Sequence, residues 1–197
     1  VDRFEILRSL VYTFNALIAE RWRDGRVFLA GDAAHMTPQF IGQGMNAGVR
    51  DAFNLAWKLD AVLAGSASVA LLDTYQRERL PHVRSMIRTA VRMKDFVSMA
   101  NPVKAFLRNA LTRTAMATPV LGRYLREGTF IPQPSYAGGS YFGIPKGLRP
   151  SPAGRQLPQP FVKGPGGRSE RLDDLLGDGF ALIGIGIDPR KSMTEPD

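Results

Sequence analysis

The feature that most constrains this chain is a change of period around one short loop. Val27-Phe28-Leu29-Ala30 is an apolar run of the length expected for a strand buried on both faces, and it stops at Gly31-Asp32. After residues 36–44, apolar side chains recur at Met45, Val49, Ala52, Leu55, Ala56, Leu59, Val62 and Leu63, the three-and-four spacing of one helix face. Asn46, Arg50, Asn54 and Lys58 fall on the other side, and Gly65-Ser66 ends the element. The pattern predicts a strand that delivers Asp32 at its carboxyl end, then a loop, then a long helix starting near Met45. That order belongs to the α/β class.

Unaided, these residues already suggest a ligand. A carboxylate beyond the carboxyl end of a strand sits where open α/β sheets bind their ligands. Gly31 has no Cβ to keep a ligand off the backbone, and an ionised Asp32 only accepts hydrogen bonds, so hydroxyl groups are its natural partners. Gly42-Gln43-Gly44 leads directly into the helix, so free amides and the positive end of the helix dipole point into the same region and favour an electron-rich group. Taken alone, Gly42 and Gly44 read first as a tight turn, and Asp32 as a local cap.

Elsewhere, alternation of Leu10, Tyr12 and Phe14 against Val11, Thr13 and Asn15 predicts extended structure from Phe4 to about Ile18, and Asp24-Gly25 a turn. A second helix is expected from Val69 or Ala70, kinked or broken at Pro81, and further helix over Asn101–Arg126, interrupted by Pro102 and Pro119. From Gly128 to Gly167 the composition turns to Gly, Pro, Ser and Gln, a connector. Arg171–Gly177 reads as a short helical turn and Phe180–Gly186 as a strand.

At 197 residues and 44% hydrophobic content the chain suffices for a buried core. No apolar run reaches the ~18 residues of a membrane-spanning helix, and there is no secretory pattern at the start, so a soluble, cytoplasmic protein with no membrane partner is expected. The absence of cysteine removes disulfides and thiolate metal sites. A net charge of +8, concentrated between Arg77 and Arg126, comes without a nucleic-acid motif or stacking aromatics. A solvated helix face or a field that steers anionic substrates is the reading, with no nucleic-acid partner.

Taken together, Arg26–His35, Pro38, Gly42-Gln43-Gly44-Met45-Asn46-Ala47-Gly48 and Asp51–Leu59 resemble the second flavin motif of the single-component FAD-dependent aromatic hydroxylases. Leu71–Pro81 is similar to that family as well, so the resemblance covers residues 1 to about 95. The stretches Ser151–Arg155, Gln159–Val162, Leu172–Gly177 and Phe180–Gly186 are similar to the start of the thioredoxin-like domain appended to phenol-type members.

The resemblance implies the C-terminal part of a Rossmann-like FAD-binding fold. Residues 1–24 would end a substrate-domain sheet, 25–127 would be the FAD-binding part with its helices, 128–170 a connector, and 171–197 an incomplete thioredoxin-like segment. It implies FAD, with Gly31, Asp32, Ala33, Pro38, Gly42, Gln43, Gly44, Met45 and Asn46 at the cofactor: Asp32 at the ribityl chain, Pro38 beside the isoalloxazine, and backbone amides from Gly42 to Asn46 at its pyrimidine edge. It further implies a monooxygenase of aromatic-compound catabolism, in which NAD(P)H reduces the flavin and a C4a-hydroperoxide hydroxylates a phenolic ring. His35 then stands where the family has a structural histidine, and no metal site is expected, since His82 is the sole other histidine. Trp57 and Met45 are expected in the core.

The family opens with a Gly-x-Gly-x-x-Gly turn that holds the ADP half of FAD, and no such segment occurs here. The chain also begins with Val1. The expectation is therefore a portion of a hydroxylase that is inactive by itself, with the N-terminal portion of the same protein, a small aromatic substrate and a second copy of the chain as partners. A non-catalytic interaction module that keeps the flavin segment as scaffold is the alternative.

Overall fold

The computed structural model describes residues 5, 7–136, 138–139, 153–164, 166–177, 179–184, 186 and 188–192, in two units, Val1–Arg155 and Gln156–Asp197. In the first unit β1 (Leu17–Ile18) pairs antiparallel with β4 (His35–Met36), and β2 (Arg23–Asp24) with β3 (Val27–Phe28). The registers are Leu17↔Met36 and Arg23↔Phe28. Two expectations need correction. Residues 7–16 form no ladder, and Leu10, Tyr12 and Phe14 are all exposed; Phe4 lies outside the described residues. The run Val27–Ala30 is not a strand buried on both faces either: β3 is one arm of a tight hairpin, and Val27 is 66% exposed. A short apolar run has the same appearance in both settings, because periodicity cannot separate them.

Helices supply most of the first unit. α1 (Gly44–Leu63) has the predicted extent. A 3-10 turn at Val69–Asp73 leads into α2 (Thr74–Val97), which passes through Pro81 without a break. Pro81 and Arg77, whose carbonyl it deprives of a donor, both lie on the exposed side of α2. Pro102 and Pro119 do not interrupt helices but open them, as the first residues of α3 (Pro102–Ala117) and α4 (Pro119–Arg126), where a missing N–H costs nothing. Asn101 caps α3, its side chain accepting from the amides of Val103 and Lys104.

The core of this unit joins Trp22, Ala34, Leu55, Leu72, Tyr75, Val83 and Ile87. The start of α2 fastens the β2–β3 hairpin: Tyr75 Oη donates to Leu29 O at 3.0 Å, and the Gln76 side chain accepts from Trp22 N at 3.0 Å and donates to Glu20 O at 2.8 Å. By these contacts the residues just before Gly31 are fixed on the helical layer.

The second unit has one hairpin, β5 (Phe161–Lys163) with β6 (Ser169–Arg171), followed by α5 (Leu172–Leu176), the helical turn foreseen there. The expected strand over Phe180–Gly186 is not present among the described residues, and Phe180 and Leu182 are exposed. With no partner strand pairing to it, an apolar run alone does not make a ladder.

Candidate functional site

The site grows from two short pieces of backbone. After β3 the chain makes a 3-10 turn, Gly31–Ala33, closed by Ala34 N donating to Gly31 O at 2.9 Å. Asp32 is the middle residue of this turn and is exposed, as is Ala33. Further on, buried Pro38 leads into a second 3-10 turn, Gln39–Ile41, which ends on Gly42 at φ 62°, a left-handed conformation that glycine adopts without strain. Gln43 is the N-cap of α1, its carbonyl taking the amide of Ala47 at 2.9 Å, and Gly44, Met45 and Asn46 form the first turn. Amides in a first helical turn have no acceptor within the helix, so these face outward along the axis.

The two pieces meet. A Cβ added to Gly48 would lie 3.4 Å from the Cα of Gly31, which shows how closely the turn crosses α1. Asp32, Thr37, Gly44 and Met45 line one groove of about 400 Å³, together with Tyr12 and Phe14. Three of the sequence-designated residues thus line one groove on the same part of the surface. Asp32, Gly44 and Met45 line the groove; Gly31, Ala33, Pro38, Gly42, Gln43 and Asn46 belong to the backbone that shapes it or flanks it.

Beneath this surface is a buried polar network that the sequence reading missed. Asp51 Oδ2 accepts from the amide of Gly31 at 3.0 Å and from His35 Nε2 at 2.6 Å. Asp51 Oδ1 accepts from Arg79 Nε at 2.7 Å, and Arg79 Nη2 donates to Ala47 O at 3.2 Å. Burial pushes the Asp51 carboxyl up, but the hydrogen bonds from His35 and Arg79, with the Arg79 charge, outweigh it and hold the group below its ordinary range. Two turns along α1, Lys58 Nζ contacts Glu78 Oε2 at 2.5 Å, Thr74 Oγ1 at 2.7 Å and Asn54 Oδ1 at 2.9 Å. Burial lowers the Lys58 pKa, and Glu78 opposes that shift.

Several expectations change as a result. Asn54 and Lys58, placed by spacing on the side of α1 away from its apolar face, are buried at 5% and 0% exposure, because α2 packs on that side with Glu78 opposite them. Met45 and Trp57, expected in the core, are exposed at 81% and 40%. Arg79, counted in the basic stretch, is not on a solvated face but pairs with Asp51. His35 is buried and bonded to Asp51. One signal in the sequence did mark Arg79: it lies in register with Tyr75, Val83, Met86 and Ala90, the buried stripe of α2.

A flavin fits this arrangement on what the residues show. The crossing of Gly31 and Gly48 brings backbone rather than side chains to the surface beside Asp32. A Cβ at Gly44 would have no neighbour closer than Thr37 O at 4.0 Å, leaving an open cradle over the helix start. Thr37 Oγ1 is buried with no protein partner at the edge of that groove, an oxygen suited to a polar ligand edge. A carboxylate for hydroxyls, outward amides for an electron-rich edge and an apolar wall are the donor set that a flavin's ribityl and ring end needs.

Comparison with known proteins agrees. Residues 3–90 match the profile of the FAD binding domain family, and residues 154–197 that of the HcaD C-terminal domain. The chain is similar to the 3-(3-hydroxy-phenyl)propionate/3-hydroxycinnamic acid hydroxylase of Mycolicibacterium smegmatis, 43% identical over 194 residues, which are 98% of this chain and 34% of that protein. The protein of the same name from Klebsiella pneumoniae is 43% identical over 193 residues, 98% of this chain and 35% of the relative. Among solved structures, aklavinone-11 hydroxylase with FAD and aklavinone aligns with a TM-score of 0.60 at 34% identity, over 85% of this chain and 30% of that one. OxyS anhydrotetracycline hydroxylase from Streptomyces rimosus aligns with a TM-score of 0.57 at 34% identity, over 79% and 29%. The chain spans about a third of the length of the curated relatives it matches. Among the described residues no helix is long and apolar enough to cross a membrane. Through residues 3–90 the chain is similar to the FAD binding domain family, and over nearly all of its length it is similar to hydroxylases of which it spans about a third.

Proposed function

We propose that these residues form the ribityl and ring end of the FAD site of a monooxygenase that hydroxylates a phenolic compound with NAD(P)H and dioxygen. The observation that carries this reading is the joint opening of Asp32 and the first turn of α1 onto one groove. Hydroxylases of 3-hydroxyphenylpropionate and 3-hydroxycinnamate are the curated relatives, so a phenol bearing an acidic side chain is the substrate class.

When bound, the flavin supplies the redox chemistry, reduction by the nicotinamide and activation of dioxygen for transfer to the ring. Asp32 would hold the ribityl hydroxyls by accepting their hydrogen bonds. The amides of Gly44, Met45 and Asn46 would serve as donors to an electron-rich ligand edge, which the positive end of α1 would favour. Pro38 would stand beside the ring, and Tyr12 and Phe14 contribute aromatic surface to the groove. Gly31, Ala33, Gly42 and Gln43 contribute backbone and shape more than side chains.

No Gly-x-Gly-x-x-Gly turn occurs within residues 1–197, so the ADP half of FAD is assigned to residues outside them. By themselves these residues are expected to bind FAD weakly and to show no turnover. Residues 171–197 are assigned to an appended thioredoxin-like segment, which without cysteine has no disulfide chemistry.

The test is made on the whole gene product. It is expected to carry FAD and to consume NADH or NADPH faster when a 3-hydroxyphenyl acid is present, with stoichiometric hydroxylated product. Replacement Asp32→Ala is expected to weaken FAD binding about tenfold or more, the scale of losing hydrogen bonds to a charged group. A product that binds no flavin, or an Asp32→Ala variant with unchanged affinity, overturns the reading.

A further inference from the structure

For the proposed site to work, two pieces of backbone must keep a fixed relation: the turn Gly31–Ala33, which presents Asp32, and the first turn of α1, which presents its amides. The crossing of Gly31 over Gly48 brings them together, but contact between two Cα atoms has no direction and tolerates sliding. Direction comes from one carboxylate. Asp51 Oδ2 takes the amide of Gly31, which opens the turn, and the ring of His35, which follows it. Asp51 Oδ1 takes Arg79 from α2, and the second arm of that guanidinium reaches the carbonyl of Ala47, at the start of α1.

We infer that Asp51 is a positioning residue for the flavin, holding the turn of Asp32 in register with the N-terminus of α1 through Gly31, His35 and Arg79. The inference rests on the proposed function. Asp51 is fully buried, so it does not touch a ligand in the groove and acts through the groups it fixes. Buried ion pairs add little net stability, since desolvation offsets their attraction, whereas hydrogen bonds at both carboxylate oxygens set distance and angle. Misplacement of a binding or reacting group by about 1 Å is costly, on the order of 10²-fold in rate.

An asparagine is the sharpest probe. It keeps the volume of Asp51 but offers one oxygen and one NH2 group, so it sets a donor against Arg79 on one side or against Gly31 and His35 on the other. The Lys58–Glu78 pair is the control. It joins the same two helices in an equally buried setting, and its hydrogen bonds include none to the turn 31–35.

The experiment compares the wild-type gene product with Asp51→Asn and Lys58→Met, at a temperature where far-UV circular dichroism shows each folded. It reads the FAD dissociation constant, the visible absorption band of bound flavin, and amide exchange of residues 29–36 in the flavin-free protein. Asp51→Asn is expected to raise the dissociation constant about tenfold or more, the usual scale for removing an orienting partner, to shift the band, and to speed exchange over residues 29–36. Lys58→Met is expected to lower the melting midpoint and leave the flavin affinity and band as in the wild type. Wild-type affinity and exchange in Asp51→Asn overturn the positioning role, and so does an equal loss of affinity in both variants. Should Asp51→Asn not fold, Arg79→Lys replaces it: one ammonium cannot serve both Asp51 and Ala47 as the guanidinium does, and wild-type affinity there also overturns the role. A wild-type protein without flavin overturns the proposed function itself; flavin in the wild type leaves only the role of Asp51 at stake.

Discussion

The Nζ of Lys58 lies 2.5 Å from Oε2 of Glu78, with side-chain exposures of 0% and 1%. Asn54 donates to the same Glu78 oxygen at 2.7 Å, and Thr74 completes the cage around the ammonium. This pair joins α1 to α2 through groups that are individually expensive to bury, so its two members are strongly coupled.

Removing only the cation leaves a buried carboxylate without its counter-charge. Lys58→Met is therefore expected to destabilise the fold by about 3 to 5 kcal/mol, and Lys58→Met with Glu78→Leu to recover most of that loss, because an apolar pair of similar volume has no desolvation penalty. Urea denaturation of the two variants checks this. A single variant as stable as the wild type would show that the pair is hydrated and weakly coupled.

His82 gives the stability a pH dependence. Burial, followed by the Arg79 charge, lowers its pKa from the ordinary 6.5 to about 4; Arg50 adds to this, while the hydrogen bond to Pro132 O and the charge of Asp51 oppose it. The unfolded chain thus takes up this proton before the folded one. Stability is fully present above pH 6.5 and declines as pH falls from there to about 4. His82→Gln is expected to flatten the midpoint-versus-pH curve in that window. The loss carried by Asp51, whose pKa is lowered from 3.8, falls below it and remains.

The sequence made α1 legible because twenty consecutive residues share one period and end in glycine-serine. It made the order of Asp32, loop and helix legible for the same reason, since each step is local. The buried side of α1 was not legible. Lys58 and Asn54 read as polar and therefore outward, and the partner that reverses this, Glu78, stands 20 and 24 residues away. The hairpin was misread because four apolar residues carry no information about which strand lies beside them. Asp51 was passed over because its role depends on Gly31, His35 and Arg79 converging from three separate elements.

Two tryptophans in opposite surroundings give an independent check of the core. Trp22 is 0% exposed, with its ring 5.3 Å from His35 and 5.5 Å from Tyr75, whereas Trp57 is 40% exposed on α1. The emission lost with Trp22→Phe is expected to be the blue-shifted part, poorly quenched by acrylamide, and that lost with Trp57→Phe the red-shifted, readily quenched part. The opposite pattern would mean that the β2–β3 hairpin is not docked on α2.

The helix start offers a way to separate flavin contacts from folding. Gln43 reaches Asn46 Nδ2 only at 3.4 Å, a marginal hydrogen bond, so its side chain has little local structural work. A Cβ at Gly44 meets nothing closer than 4.0 Å, so a larger residue is accommodated in the flavin-free fold while its side chain projects over the amides. Gln43→Ala is therefore expected to retain flavin affinity within about twofold, and Gly44→Leu to lose about tenfold, some 1.4 kcal/mol, with an unchanged melting midpoint before flavin is added. Fluorescence titration of the whole gene product with FAD, paired with thermal melts of the flavin-free protein, makes the measurement. Equal losses in both variants would mean that the Gln43 side chain, and not the backbone of this turn, faces the flavin.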